Sequence, residues 1–520
     1  MSHPETPDPY ALPPDAIKEP PNSLFRALRQ IGPGLILAGS IVGTGELIST
    51  TALGAEQGYV LLWLILLSCV IKVFVQTELG RYAITHGKTT LAAFDTLPGP
   101  RLGTSWMGWL WLFMMLTTQA QIAAMEGLVG QAAHAAFPAA SARMAGWAGS
   151  LDPRWGDFLA ARPEHIWATL TGLAAITLLL SGGYKRLETI TTTLVAIVTL
   201  MTVGCVVGLA WTPYPIDTDA LKHGFDFALP TAGVALAFAT FGITGVGASE
   251  LFAYPYWCIE KGYARNAGPR TEDDGWARRA RGWMRVMQLD AWFSMVVFTL
   301  ATVAFYLLGA AVLKPQHLDP KGGEMIPTLA TMYVAPLGPW TRPAFLIGAW
   351  AVLFKTLYVA TAANSRLTAD FLDLAGLWRQ SGPKARDRTV RAFCVFYPLL
   401  ALGLYYALRE PKLLVKIGGY AQGLMLPLIA GATLYLCRRD SDRRVAPLFS
   451  TEILTWFAFF AISAVSLYSA RDLVLKDVVP AVRSWVIPST ERDARPTTAL
   501  GPPPIAVAPP STIPPGTPAP

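Results

Sequence analysis

Two glutamates stand at the ends of glycine clusters inside otherwise apolar sequence. The first closes Gly43-Thr44-Gly45-Glu46, and the second closes Gly245-Val246-Gly247-Ala248-Ser249-Glu250. An ionised carboxylate at bilayer depth costs about 2.5–3.5 kcal/mol even on lenient insertion scales, so each requires a partner or water. Together Glu46 and Glu250 carry enough charge to neutralise a divalent cation. Backbone carbonyls around Gly43 and Gly247, and the hydroxyls of Thr44 and Ser249, are candidates for the remaining oxygen positions. The alternative is that each glutamate is protonated or caps a neighbouring helix. Two carboxylates at low dielectric repel each other, so at least one is expected to hold a proton until a metal arrives and expels it. Gln422, near Gly418, Gly419 and Pro427, is a further candidate oxygen ligand. Glu126, in a run with Gln119 and Gln121, is a candidate proton acceptor, with a helix-to-helix hydrogen bond as the alternative. Asp290 reads equally as interfacial or functional. Lys72 and Lys355 read as counter-ions to these acids, and Lys355 also as a stand-in for a coupling cation.

The elements that must position these residues are membrane helices. Only 15% of the 520 residues are charged and 52% are hydrophobic, against roughly 25% charged in soluble domains. About eleven stretches are long enough to cross a hydrocarbon core of about 30 Å. They run near 31–55, 59–84, 106–137, 166–182, 188–211, 227–258, 284–313, 343–372, 392–408, 413–437 and 449–468. Glycine costs about 1 kcal/mol in a helix interior, so the two clusters predict unwound backbone or close packing in the first and sixth spans. Breaks five spans apart predict an inverted repeat, with spans 1–5 over residues 31–211 and spans 6–10 over 227–437. An odd number of spans turns the second copy over in the membrane and points to a midplane binding site of a secondary transporter. Residues 1–30 read as a cytoplasmic disordered segment, 449–468 as an added eleventh span, and 490–520 as a proline-rich disordered tail.

Arginine and lysine fill the loops after the sixth, eighth and tenth predicted spans, including Arg278, Arg279, Arg388, Arg391, Arg443 and Arg444. The positive-inside bias places these loops in the cytoplasm of a cell-membrane protein, with the N-terminus inside and the C-terminus outside. That topology accounts for the net charge of +7 without nucleic acid. The five cysteines show no CxxC spacing, no HExxH occurs, and Gly87-Lys88-Thr89 lacks the leading glycine of a phosphate loop. These patterns give no support to enzyme chemistry on His-bound metal, and no cofactor or obligate protein partner is expected.

The stretch Gly32-Pro33-Gly34, then Gly54-Ala55, Gly58-Tyr59, Leu62-Trp63, Gln76-Thr77, Leu79-Gly80 and Gly87-Lys88, resembles the Nramp divalent-metal transporters in ungapped register. Gly183-Tyr184-Lys185-Arg186-Leu187-Glu188 is similar to that family's turn between its fourth and fifth helices. The resemblance implies an all-α LeuT-type 5+5 inverted repeat with helices 1 and 6 broken, and uptake of divalent metal coupled to protons. The site residues depart from it. The family's first helix usually breaks at Asp-Pro-Gly-Asn, whose Asp and Asn bind metal, and here that register reads Gly43-Thr44-Gly45-Glu46. Its sixth helix usually carries Met-Pro-His with the sulfur on the metal, whereas no Met or His lies between Phe227 and Cys258. An all-oxygen site suits Mg²⁺, Ca²⁺ or Mn²⁺ better than softer ions. A symporter of a small organic substrate such as an amino acid, or a non-transporting sensor on the same scaffold, are the alternatives.

Overall fold

The computed structural model describes residue 12 and residues 16–181, 184–230, 233–440 and 442–473. The side chains at 35, 37, 40, 44, 182–192 and 472–473 lie outside the described set. The expected tail at 490–520 therefore falls outside it, as do Gly183 and the side chains of 184–188 in the expected turn.

Hydrophobic length produces the helices and proline sets several of their starts. Helices begin at Pro33, Pro138, Pro153, Pro163, Pro383 and Pro411, where the missing N–H is free of any intrahelical bond anyway. Span 1 consists of a helix Pro33–Ile41, a π-helical stretch Thr44–Thr50 and a helix Thr51–Gln57. Spans 2 to 5 are Leu62–His86, Trp106–Ala136, Pro163–Ser181 and Tyr184–Gly208. Span 6 is Val234–Ile243 followed, after a break, by Ala248–Glu260. Span 7 runs Asp274–Leu308 and continues as a π-helical turn Gly309–Leu313. Spans 8 to 11 are Thr341–Leu374, Pro383–Leu408, Pro411–Asp440 and Phe449–Leu473. A two-stranded ribbon at residues 101–105 precedes span 3, and two shorter helices, Pro138–Leu151 and Pro153–Ala161, join spans 3 and 4.

Among the described residues ten helical segments are long and apolar enough to cross a membrane. Span 1 is missing from that number because its break leaves pieces of 9, 7 and 7 residues. Several helices begin earlier than the apolar pattern predicts: span 7 starts at Asp274 rather than near 284, and span 9 at Pro383 rather than near 392. The polar first turns are held by the protein itself: Asp273 caps span 7, accepting from Gly275 N at 3.0 Å, and Arg386 in the first turns of span 9 pairs with Asp370 at 2.8 Å.

Burial separates an inner set of spans from an outer one. The apolar windows of spans 2, 3, 6, 7 and 8 are 72–83% buried, whereas those of spans 4, 5, 9 and 11 are only 28% buried. The outer spans present Leu200, Val207, Phe457, Phe460 and Leu467, exposed apolar side chains of the kind that face lipid. The inner spans approach through glycine, as expected where lipid supplies no hydrophobic drive between helices. A Cβ on Gly54 of span 1 would lie 2.3 Å from Tyr306 O of span 7, and one on Gly309 would lie 2.3 Å from Thr51 O. On span 10, Gly419 is similarly pressed on Ala239 O and Gly423 on the Phe238 ring.

Asp290 of span 7 caps span 1, accepting from Gly32 N at 3.1 Å and Gly34 N at 2.5 Å. These are the first free N–H groups of the helix beginning at Pro33, so a carboxylate from another span does the work of a local cap. Ahead of it the chain is tied down as well. Lys18 N donates to Asn266 O at 3.0 Å, Lys18 O accepts from Trp283 Nε1 at 3.0 Å, and Pro20 packs where Gly282 has no side chain.

Candidate functional site

Both breaks sit in the interior of the protein, so every backbone group they free must find a partner. At span 6 four such groups are met by side chains. Gly245, in the left-handed region at φ +64°, turns the chain, and its N–H donates to Glu46 Oε1 at 3.0 Å. Ser249 N donates to Gln422 Oε1 at 3.1 Å. The carbonyl oxygens of Phe241 and Thr244 accept from Lys72 Nζ, the second at 2.8 Å, and from Ser68 Oγ at 3.3 Å each. At span 1 the break falls at Val42 and Gly43, and Gly43 is pressed against Thr356 of span 8, whose Oγ1 would lie 2.5 Å from an added Cβ.

Between the two breaks lies a cavity of about 40 Å³. Its polar lining comes from Thr118 and Gln121 of span 3, Ser249 and Glu250 of span 6, Thr356 and Asn364 of span 8, and Gln422 of span 10. Gln422 is fixed from both sides, since its Nε2 donates to Gln121 Oε1 at 2.8 Å while its Oε1 holds Ser249 N. Gly247 leaves the space these groups need. A Cβ there would lie 2.6 Å from Glu250 Oε2 and 2.8 Å from Gln422 Oε1. Gly45 also lines the cavity, as does one sulfur-bearing side chain, Met125 of span 3.

The structure thus brings Ser249, Glu250 and Gln422 together at one cavity, with Gly247 behind them and Gly43 at the adjoining break. Glu46 is turned elsewhere. It is fully buried, absent from the cavity lining, and directed at the break of span 6 and at Thr302 of span 7, whose Oγ1 donates to it at 3.3 Å. Its second oxygen has no hydrogen-bond partner among the described residues. Glu126 also lies off the cavity. Its neighbour Met125 lines it, but Glu126 faces span 4, where Oε1 would stand 2.6 Å from a Cβ on Gly172. Both its oxygens lack a partner among the described residues. The side chain of Thr44 lies outside the described residues.

Thr356, Asn364 and Thr118 were not singled out by sequence reasoning. Single hydroxyls and amides are common in membrane helices, and only the packing of spans 3 and 8 brings these three together. Among the described residues there is no group of three or more His, Cys, Asp or Glu that could hold a metal. A cation here would rest on one lining carboxylate and neutral oxygens. Behind the cavity, Trp257 and Val359 also line a second one of about 470 Å³ that includes Lys355. The Arg366 guanidinium lies 5.4 Å from the Trp257 ring centroid and pairs with Glu260 at 2.9 Å.

Eleven helical spans, two of them broken at matching places around a small polar cavity, define a polytopic membrane transporter of the LeuT-type inverted-repeat class. The family profile described as natural resistance-associated macrophage protein-like matches residues 34–471, and the chain belongs to the Nramp family. It is accordingly a multi-pass transporter of the divalent-metal class and not an enzyme. Among solved structures, a mutant of the manganese transporter of Eremococcus coleocola matches with a TM-score of 0.56 at 15% identity, over 89% of this chain and 90% of that one. The same transporter in complex with an aromatic bis-isothiourea substituted compound matches with a TM-score of 0.55 at 15% identity, over 90% and 94%. At this identity the likeness carries the fold alone. No curated protein sequence matches the chain.

Proposed function

We propose that this chain carries a divalent cation of the Mn²⁺/Mg²⁺ type across a cell membrane, coupled to protons, with the ion held in the cavity between the two breaks. The observation that carries the reading is the lining: one carboxylate, Glu250, with the amides of Gln121, Gln422 and Asn364 and the hydroxyls of Thr118 and Thr356. Hard divalent cations take six or more oxygen ligands, and Mg²⁺ keeps several of its waters. A cavity of about 40 Å³ suits an ion with water, whereas pockets for organic ligands run about 300–1,000 Å³. Cavity size thus favours the ion over an amino-acid-sized substrate.

Glu250 is the proposed ligand, supported by Gln422, Ser249 and the backbone at Gly43 and Gly247. Glu46 is proposed to sense the ion indirectly, because it ties the break of span 6 to spans 1 and 7 and has one oxygen in reserve for a proton. Glu126, buried and without a partner among the described residues, is the proposed proton relay toward span 4. Met125 sets the hard-versus-soft balance, since a thioether favours softer transition metals. The orientation follows the loop charges, with the N-terminus cytoplasmic and the C-terminus outside.

The test is ion uptake into proteoliposomes, comparing Mn²⁺ with Mg²⁺ under an imposed proton gradient. Glu250→Gln is expected to lose at least nine-tenths of uptake, Glu126→Gln to lose its dependence on the gradient, and Met125→Leu to move the ratio toward Mg²⁺. Wild-type protein that is folded and oriented but takes up neither ion overturns the reading.

A further inference from the structure

The break of span 6 leaves a helix end whose free carbonyls are met by a cation rather than by a hydrogen-bonded neutral group alone. Lys72, on span 2 and fully buried, sends its ammonium to Phe241 O and Thr244 O, the latter at 2.8 Å. The same nitrogen lies 4.7 Å from the centroid of the Phe241 ring. Ser68, one turn earlier on span 2, reaches both oxygens at 3.3 Å. Each of these described partners is neutral. Carbonyl oxygens at a helix C-terminus carry the negative end of the helix dipole, and an aromatic face adds attraction for a bare cation. Carbonyl oxygens replacing water, and a ring face, are means by which proteins hold free monovalent cations.

We propose that this cradle is a monovalent-cation site filled by the protein's own ammonium, with Lys72 acting as a tethered cation at the hinge of span 6. The inference rests on the reading of the chain as a cation transporter with its site between the breaks. It adds that the hinge requires no soluble monovalent ion, because a covalently held one cannot leave during the cycle. Lys72 is thereby a positioning residue. It keeps the carbonyl end of Val234–Ile243 satisfied while Glu46 satisfies the neighbouring N–H of Gly245.

The experiment measures the thermal unfolding midpoint of the purified full chain in choline, sodium, potassium or butylammonium chloride at one ionic strength. Wild-type protein is expected to show the same midpoint in all four. Lys72→Met keeps the stem and removes the charge, so its midpoint should fall by several degrees in choline and recover by at least half in sodium or potassium. Lys72→Ala also removes the stem, and its midpoint should recover in butylammonium, which restores both stem and head group. Lys72→Arg retains the charge and should lose less than Lys72→Met. The proposal is overturned if neither Lys72→Met nor Lys72→Ala responds to any cation beyond the choline control, or if Lys72→Arg is as destabilised as Lys72→Met. Should Lys72→Ala yield no folded protein, Lys72→Met carries the test alone. The readout does not depend on which ion is transported, so a failed uptake experiment and a failed rescue are separate results.

Discussion

Gly247 touches Glu250 and Gln422 so closely that a single methyl group there displaces both. Gly247→Ala is therefore expected to lower uptake at least tenfold and to lower the thermal midpoint modestly, since it shifts Gln422 and also meets Gly242 O at 3.2 Å. Gln422→Leu should have the larger effect on the midpoint. It removes the acceptor of Ser249 N, at about 1–3 kcal/mol for that donor, together with one contact of Gln121, and should reduce both midpoint and uptake. Glu250 and Gln422 were legible in the sequence because a carboxylate or amide deep in an apolar run needs a reason to be there. The orientation of Glu46 was not. It lies in a π-helical stretch, where the usual α-helical spacing does not tell which way a side chain points. Its contact with Gly245 N ties the break of span 6, and nothing in residues 43–46 distinguishes that from a ligand's orientation.

At the scale of elements, apolar length located the spans but not their polar extensions, which are stabilised by caps and loop contacts rather than by hydrocarbon. The glycine clusters marked the two breaks for a physical reason: the left-handed turn at Gly245 and the contact of Gly43 with Thr356 exclude a side chain. The crossing of spans 1 and 7 was not readable, because Gly54 and Gly309 look like ordinary membrane-helix glycines until Tyr306 O and Thr51 O are found against them. Gly309→Ala is expected to destabilise the fold by about 1–3 kcal/mol, as an overpacked site does, seen as a lower unfolding midpoint in detergent. Asp290, ambiguous in the sequence, acts as the cap of span 1. Asp290→Ala should cost about 1.5–3 kcal/mol, the worth of hydrogen bonds to a charged acceptor, again read from the midpoint.

At the scale of the whole molecule, a tie between distant loops has a defined response to pH. Arg444 donates to the carbonyls of Thr271, Glu272 and Asp273 and is held by Asp442, which Arg270 also meets at 3.1 Å. Hydrogen bonds from Arg444 pull the Asp442 carboxyl down to about 2. A lowered carboxyl contributes stability above its unfolded value, near 3.9, and loses it only as pH falls through about 2. Asp442→Asn should therefore lower the midpoint by the same amount at pH 5 and pH 8, and any change in uptake across that range originates elsewhere. The residues before span 1 and the cap on its first turn bear on motion. Lys18 and Pro20 are fastened against span 7 and its leading turn, and Gly32 and Gly34 are fastened to Asp290 of the same span. The first half of span 1 is thus bolted to span 7 at its base, and the two can swing only as one lever. Bending is left to Val42 and Gly43, so the lever flexes between Ile41 and Gly45, the two residues through which span 1 lines the cavity.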